Sequence, residues 1–158
     1  MKFVNVPGIT STMLALAIAG CGGGGGDGGP APARAIVKVH TAGTLPANTS
    51  IGTIQATVTA SPASGLSIGT SDVSATGNGA APDAFLAPNT AAVGAVVLGL
   101  ISANGIPAGE FATLTYHIAP GNVPAANVFG IAGGYSVTSP EGAPLSGMTV
   151  AIQSVTFQ

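Results

Sequence analysis

The stretch TIQATVTA, residues 53–60, alternates without a break: Ile54, Ala56, Val58 and Ala60 take one side, Thr53, Gln55, Thr57 and Thr59 the other. Side chains change face at every residue only in an extended strand, so the pattern predicts a β-strand with one buried face. The same period runs through most of the chain after residue 34. AIVKVH (35–40) sets Val37 and Val39 against Lys38 and His40. EFATLTYHI (110–118) turns Ala112, Leu114, Tyr116 and Ile118 inward and Phe111, Thr113, Thr115 and His117 outward. VGAVVLGLI (93–101) is apolar on both faces, as an interior strand is, and is too short and too glycine-interrupted to cross a membrane. MTVAIQSVTF (148–157) alternates through Met148, Val150 and Ile152, then changes phase to Val155 and Phe157, which predicts a bulge near Ser154.

Turn signals separate these runs: Asn78-Gly79, Asn104-Gly105, Pro120-Gly121, Gly133-Gly134 and Pro140-Glu141-Gly142. No amphipathic helical pattern follows residue 20. The expectation is an all-β fold, an antiparallel β-sandwich of jelly-roll type with about eight or nine strands, forming one domain over 35–158.

Hydrophobic residues make up 46% of the 158, enough for a sizeable core and too many for a disordered chain. Charge is scarce: three Lys or Arg and five Asp or Glu, a net charge of −2. A chain so poor in cations has nothing to neutralise phosphates with, which excludes nucleic acid as a partner.

At the other end of the chain, Lys2 precedes the short apolar run MLALAIA (13–19), the layout of a secretory signal. That run ends in Ile18-Ala19-Gly20-Cys21, which resembles the lipobox of bacterial lipoproteins: an aliphatic residue, two small ones, then cysteine. The resemblance implies cleavage between Gly20 and Cys21, a diacylglyceryl group on the Cys21 thiol and acylation of the new amino terminus. Each acyl methylene contributes about 0.8 kcal/mol on burial, so two or three chains hold a protein on a bilayer without a transmembrane helix. Cys21 is the sole cysteine, so it forms no internal disulfide, and no His, Lys or Arg lies within ten residues to activate its thiol. Residues 22–29, GGGGGDGG, then read as a flexible tether, stiffened by Pro30 and Pro32. As a random coil the twelve residues from 22 to 33 reach roughly 20 Å. The predicted organisation is a signal peptide over 1–20, a lipidated cysteine and linker over 21–34, and a sandwich over 35–158. Among lipoproteins an Asp after the cysteine commonly retains the protein at the inner membrane. Gly22 stands there instead, so the expected address is the cell envelope, at the outer membrane where the cell has one.

The order of IGTIQATVTAS, AVGAVVLGLISANGIPAGEFATLTYHI and GYSVTSPEGAPLSGMTVAIQSV is similar to that of cohesin-like sandwich domains, whose fold is shared with several carbohydrate-binding modules. The most similar part is the turn NGIPAG running into EFATLTYHI. The resemblance implies a sandwich that docks another protein. Because one fold hosts many activities, function has to come from a site.

Catalysis finds no support in the residues. The sandwich region holds four carboxylates, Asp72, Asp83, Glu110 and Glu141, dispersed rather than paired as a glycosidase requires. His40 and His117 stand apart, outward on strands, and no G-x-S-x-G elbow accompanies them. The expectation is a non-enzymatic domain with no cofactor and no metal. Asp72 and Asp83, in the oxygen-rich stretch SDVSATGNGAAPDAFLAPN, are the candidates for calcium, with turn formation as the alternative use of the same residues. For binding, the candidate face is the outward side of 110–118, Phe111, Thr113 and Thr115, with Tyr135 as a second surface ring. A flat, weakly charged face of this kind suits a protein partner. A polysaccharide, the alternative, requires Phe111 and Tyr135 to lie coplanar.

Overall fold

A computed structural model describes residues 31–158. The signal peptide, Cys21 and the glycine tether up to Pro30 lie outside the described residues. Ten strands follow in order: β1 (Arg34–Ala42), β2 (Ile51–Ala60), β3 (Leu66–Ser67), β4 (Val73–Ala75), β5 (Ala84–Asn89), β6 (Ala95–Ile106), β7 (Glu110–Ile118), β8 (Phe129–Ile131), β9 (Ser136–Thr138) and β10 (Thr149–Phe157). They form two five-stranded sheets. The first has the order β10-β1-β7-β3 with β4 also on β7; the second has β5-β6-β2-β8 with β9 also on β2. Every pairing is antiparallel, and the two sheets pack as a sandwich.

The inward residues of the alternating stretches build the core. The first sheet contributes Val37, Val39, Leu114 and Tyr116, and the second contributes Ile54, Val58, Val96, Leu98 and Leu100, all buried. Tyr116 packs on Phe129 with ring centroids 4.9 Å apart. The Tyr116 hydroxyl is buried without a hydrogen-bond partner. That desolvation pushes the phenol up to about 12.

Two bulges in the first sheet decide where its alternation changes phase. On β10, Lys38 pairs with Ser154 and Val39 with Ile152, so Gln153 is the extra residue, one position from the bulge expected near Ser154. It returns Val155 and Phe157 to the core side, opposite Val37 and Ala35. On β7, Val39 pairs with Ala112 and His40 with Glu110, which leaves Phe111 as the extra residue. This corrects the outward placement of Phe111. The bulge turns the ring inward beside Ala112, and Phe111 is fully buried. The local turn is built around it: Thr76 donates its N–H to the Phe111 carbonyl at 3.2 Å, and Gly79 lies so close that a Cβ there would stand 2.1 Å from that same oxygen.

Candidate functional site

The two outer faces of the sandwich differ in chemistry. The face of the first sheet carries two pairs of ionisable side chains. Lys38 Nζ contacts Glu110 Oε2 at 3.0 Å, and His117 Nε2 lies 3.2 Å from Asp72 Oδ1. Hydrogen bonds from Thr76 and then Lys38 hold the Glu110 carboxyl below its usual value. Thr113 and Thr115 do point outward here, half-buried among these groups, and the Thr113 and Thr76 hydroxyls lie 2.9 Å apart. With Phe111 in the core, no Phe or Tyr ring stands on this face beside them among the described residues.

Among the described residues, the strands of the second sheet place no ionisable side chain on its outer face. Its residues align in cross-strand rows set by the register. Thr138, Thr53, Ile101 and Phe85 form one row; Ser136, Gln55, Gly99 and Ala87 the next; Thr57, Val97 and Asn89 the third. Phe85 and Ile101 are 68% and 60% exposed, although both are large and apolar. Gly99 makes a shallow recess in the next row, since a Cβ there would meet only the Ala87 carbonyl, at 3.7 Å. The Thr53 and Thr138 hydroxyls, 2.6 Å apart, satisfy each other at the far end of the first row. The surface is flat, neutral and apolar at one side.

Tyr135 precedes β9 at one edge of this second sheet, whereas Phe85 lies on β5 at the other edge. Tyr135 is 37% exposed and borders a shallow cavity of about 310 Å³ with Val137, Pro144, Leu145 and Met148. Phe111 and Tyr135 therefore belong to different sheets, one ring buried and one half-exposed, and they form no coplanar platform.

The calcium candidates also go separate ways. Asp72 Oδ2 accepts the Gly69 N–H at 2.8 Å, and that bond, followed by His117, lowers its carboxyl. Asp83 Oδ2 accepts the Asn104 N–H and the Ser102 hydroxyl, both at 2.9 Å, which lower its carboxyl in that order. Asn78 donates to the Ala108 carbonyl, and Asn89 accepts from the Ala91 N–H. Each of the four secures a local turn or ladder contact. Among the described residues no three His, Cys, Asp or Glu side chains gather as a metal site. His117 and Asp72 make an exposed His–carboxylate pair, but no serine hydroxyl hydrogen-bonds the ring among the described residues.

The architecture is a cohesin-like β-sandwich. The sixth cohesin of scaffoldin B from Acetivibrio cellulolyticus, solved in complex with a Cel5 dockerin, superposes with a TM-score of 0.59 at 19% identity, over 74% of this chain and 84% of that one. A non-cellulosomal cohesin from the archaeon Archaeoglobus fulgidus gives 0.54 at 13% identity, over 74% and 75%. At these identities the likeness is one of fold. No protein-family model matches the sequence, and no curated protein does.

Of the face expected from the sequence, the structure keeps Thr113 and Thr115 outward on the first sheet and moves Phe111 into the core. The exposed apolar residues of the second sheet trace to VGAVVLGLI, which is apolar on both faces. β6 is interior within its sheet, between β5 and β2, but its second apolar face, Val97, Gly99 and Ile101, looks outward with no layer over it.

Proposed function

We propose that the chain is an exported, lipid-anchored, non-enzymatic module that docks a protein partner on the outer face of its second sheet. The observation that carries this reading is the Phe85–Ile101 pair: two large apolar side chains, adjacent and mostly in solvent, on a sheet face without charge. Scattered exposed apolar residues are ordinary, whereas contiguous ones on a flat face mark a contact surface. The partner that fits is itself flat, apolar and uncharged at its centre, because a charge brought onto this face would lose its water and gain no counter-ion. A fold like that of a cohesin solved with its dockerin supports a protein as the partner. A polysaccharide is less well served, since Phe111 is in the core and Phe85 and Tyr135 sit at opposite edges. The lipobox Ile18-Ala19-Gly20-Cys21 supports the anchor.

The test is capture from solubilised envelopes by the mature protein. Ile101→Asp and Phe85→Ser should abolish capture of the partner, and Thr115→Arg, on the opposite sheet, should leave it intact. Undiminished capture by Ile101→Asp would remove the face from consideration, and retention of the wild type on insoluble polysaccharide, lost in Phe85→Ser, would favour the carbohydrate reading. Mass spectrometry of the mature chain should show an acylated N-terminal Cys21; a mature chain without acyl groups would overturn the anchor.

A further inference from the structure

One end of the sandwich is both the place where the N-terminal residues enter and a surface of neutral loops. Ala33 donates its N–H to the Gln158 carbonyl at 2.7 Å, and its own carbonyl accepts the Ile118 N–H at 2.9 Å. The chain thus enters between the last residues of β10 and of β7. Three loops stand at the same end and are tied to one another and to the adjoining strands. The Ala60 N–H reaches the Gly94 carbonyl at 2.8 Å, the Ala119 N–H reaches the Gly65 carbonyl at 2.8 Å, and the Asn122 amide reaches the Ser64 carbonyl at 3.1 Å. Their sequences, SPASG (61–65), TAAVG (90–94) and APGNVPA (119–125), contain no ionisable side chain. Val93 is 94% exposed and Val123 73%. The opposite end is different, carrying Asp83 beside Asn104 and Glu141 in the turn before β10.

We propose that this neutral end rests on a lipid bilayer, with Val93 and Val123 as its points of contact. The proposal rests on the reading that Cys21 is acylated. Attachment makes this end the near one: the residues that lead from Cys21 join the body at Ala33, which is held here by Gln158 and Ile118. The end where the chain enters is therefore the end that the anchor draws towards the membrane. Two valines among alanines and prolines would not retain a free protein on lipid. Tethering changes that, because a short linker presents the loops to the bilayer at an effective concentration of about millimolar, where a feeble contact persists. The loops bring no charge that must be stripped of water, and among the described residues the nearest ionisable side chains, Arg34, Asp72 and His117, lie on the outer face of the first sheet. Resting on this end sets the strands upright and leaves the uncharged face of the second sheet standing away from the lipid, open to a partner from the side.

Acylation consumes the Cys21 thiol, so a cysteine introduced at one surface position is the single reactive thiol of the mature chain. Val93→Cys, Val123→Cys and Glu141→Cys, each labelled with a polarity-sensitive fluorophore and reconstituted in phosphatidylcholine vesicles containing a doxyl-labelled lipid, read the distance of each end from the bilayer. Labels at 93 and 123 should be quenched several-fold more than the label at 141. Equal quenching at all three positions, in a protein whose mass shows the acyl groups and which floats with the vesicles, would overturn the orientation alone. A mature chain without acyl groups that does not float would overturn the anchor, and the orientation with it.

Discussion

Phe85 and Ile101 face each other directly across β5 and β6, with 68% and 60% of their surfaces in solvent. An exposed cross-strand pair contributes roughly 0.2–1 kcal/mol to a sheet, whereas a central residue of an interface contributes about 2 kcal/mol or more to binding. Phe85→Ser and Ile101→Ser should therefore shift the denaturation midpoint little while lowering partner affinity roughly thirtyfold. Calorimetric titration beside urea denaturation checks both. A large loss of stability with unchanged affinity would make the pair a structural one.

Phe111 and Thr113 are two residues apart on β7, yet the bulge puts them on opposite faces. Phe111→Ala should cost about 3–5 kcal/mol of stability through the cavity it leaves. Thr113→Ala should cost about 1 kcal/mol, the contribution of its hydrogen bond to Thr76. Urea denaturation of the two variants decides the matter, since a surface Phe111 would give the opposite order.

Tyr116 buries a hydroxyl with no partner, so Tyr116→Phe removes a desolvated group and should leave stability unchanged or raise it by about 1–3 kcal/mol. The wild type should also weaken in alkali. Its phenol titrates near 12 when folded and near 10 when unfolded, so the folded state holds the proton more tightly and stability declines as pH rises from 10 through 12. Tyr116→Phe should lose that part of the decline in denaturation curves recorded across this range.

Asp72, Asp83, Glu110 and Glu141 all have carboxyls lowered by hydrogen bonds, first among them the Gly69 N–H, the Asn104 N–H, the Thr76 hydroxyl and the Ser139 hydroxyl respectively. The unfolded chain takes up protons on these groups first. Stability is therefore complete above the unfolded carboxylate range near pH 4 and is lost as pH falls through the lower folded values. Denaturation midpoints against pH should show this, and Asp83→Asn should flatten the acid limb.

Strand positions were legible wherever one face is buried, because TIQATVTA and AIVKVH alternate cleanly and occupy β2 and β1. The bulge of β10 was legible too, since it shifts an apolar pattern from Ile152 to Val155. The bulge of β7 was not. Phe111 and Ala112 are both apolar, and strict alternation assigns one of two such neighbours outward. The exposure of the second face of β6 escaped for a related reason: a two-faced apolar strand reads the same whether its second face lies under another layer or in water. Only the sheet order, with helix and third layer absent over β6 among the described residues, separates the two. The calcium candidates illustrate the remaining ambiguity, as Asp72 and Asp83 use in turns the same oxygens that a cation would need.

The position of β1 has a mechanical consequence. It follows directly on the residues that lead from Cys21, and it lies between β10 and β7, paired antiparallel with both along nearly its whole length. With Cys21 acylated and a partner on the second sheet, as proposed above, a pull from the membrane would enter the body along the axis of this strand, against the load on the other sheet. Under that loading the two ladders beside β1 are sheared, with many hydrogen bonds strained together, where a strand at the rim pulled crosswise would peel away one bond at a time.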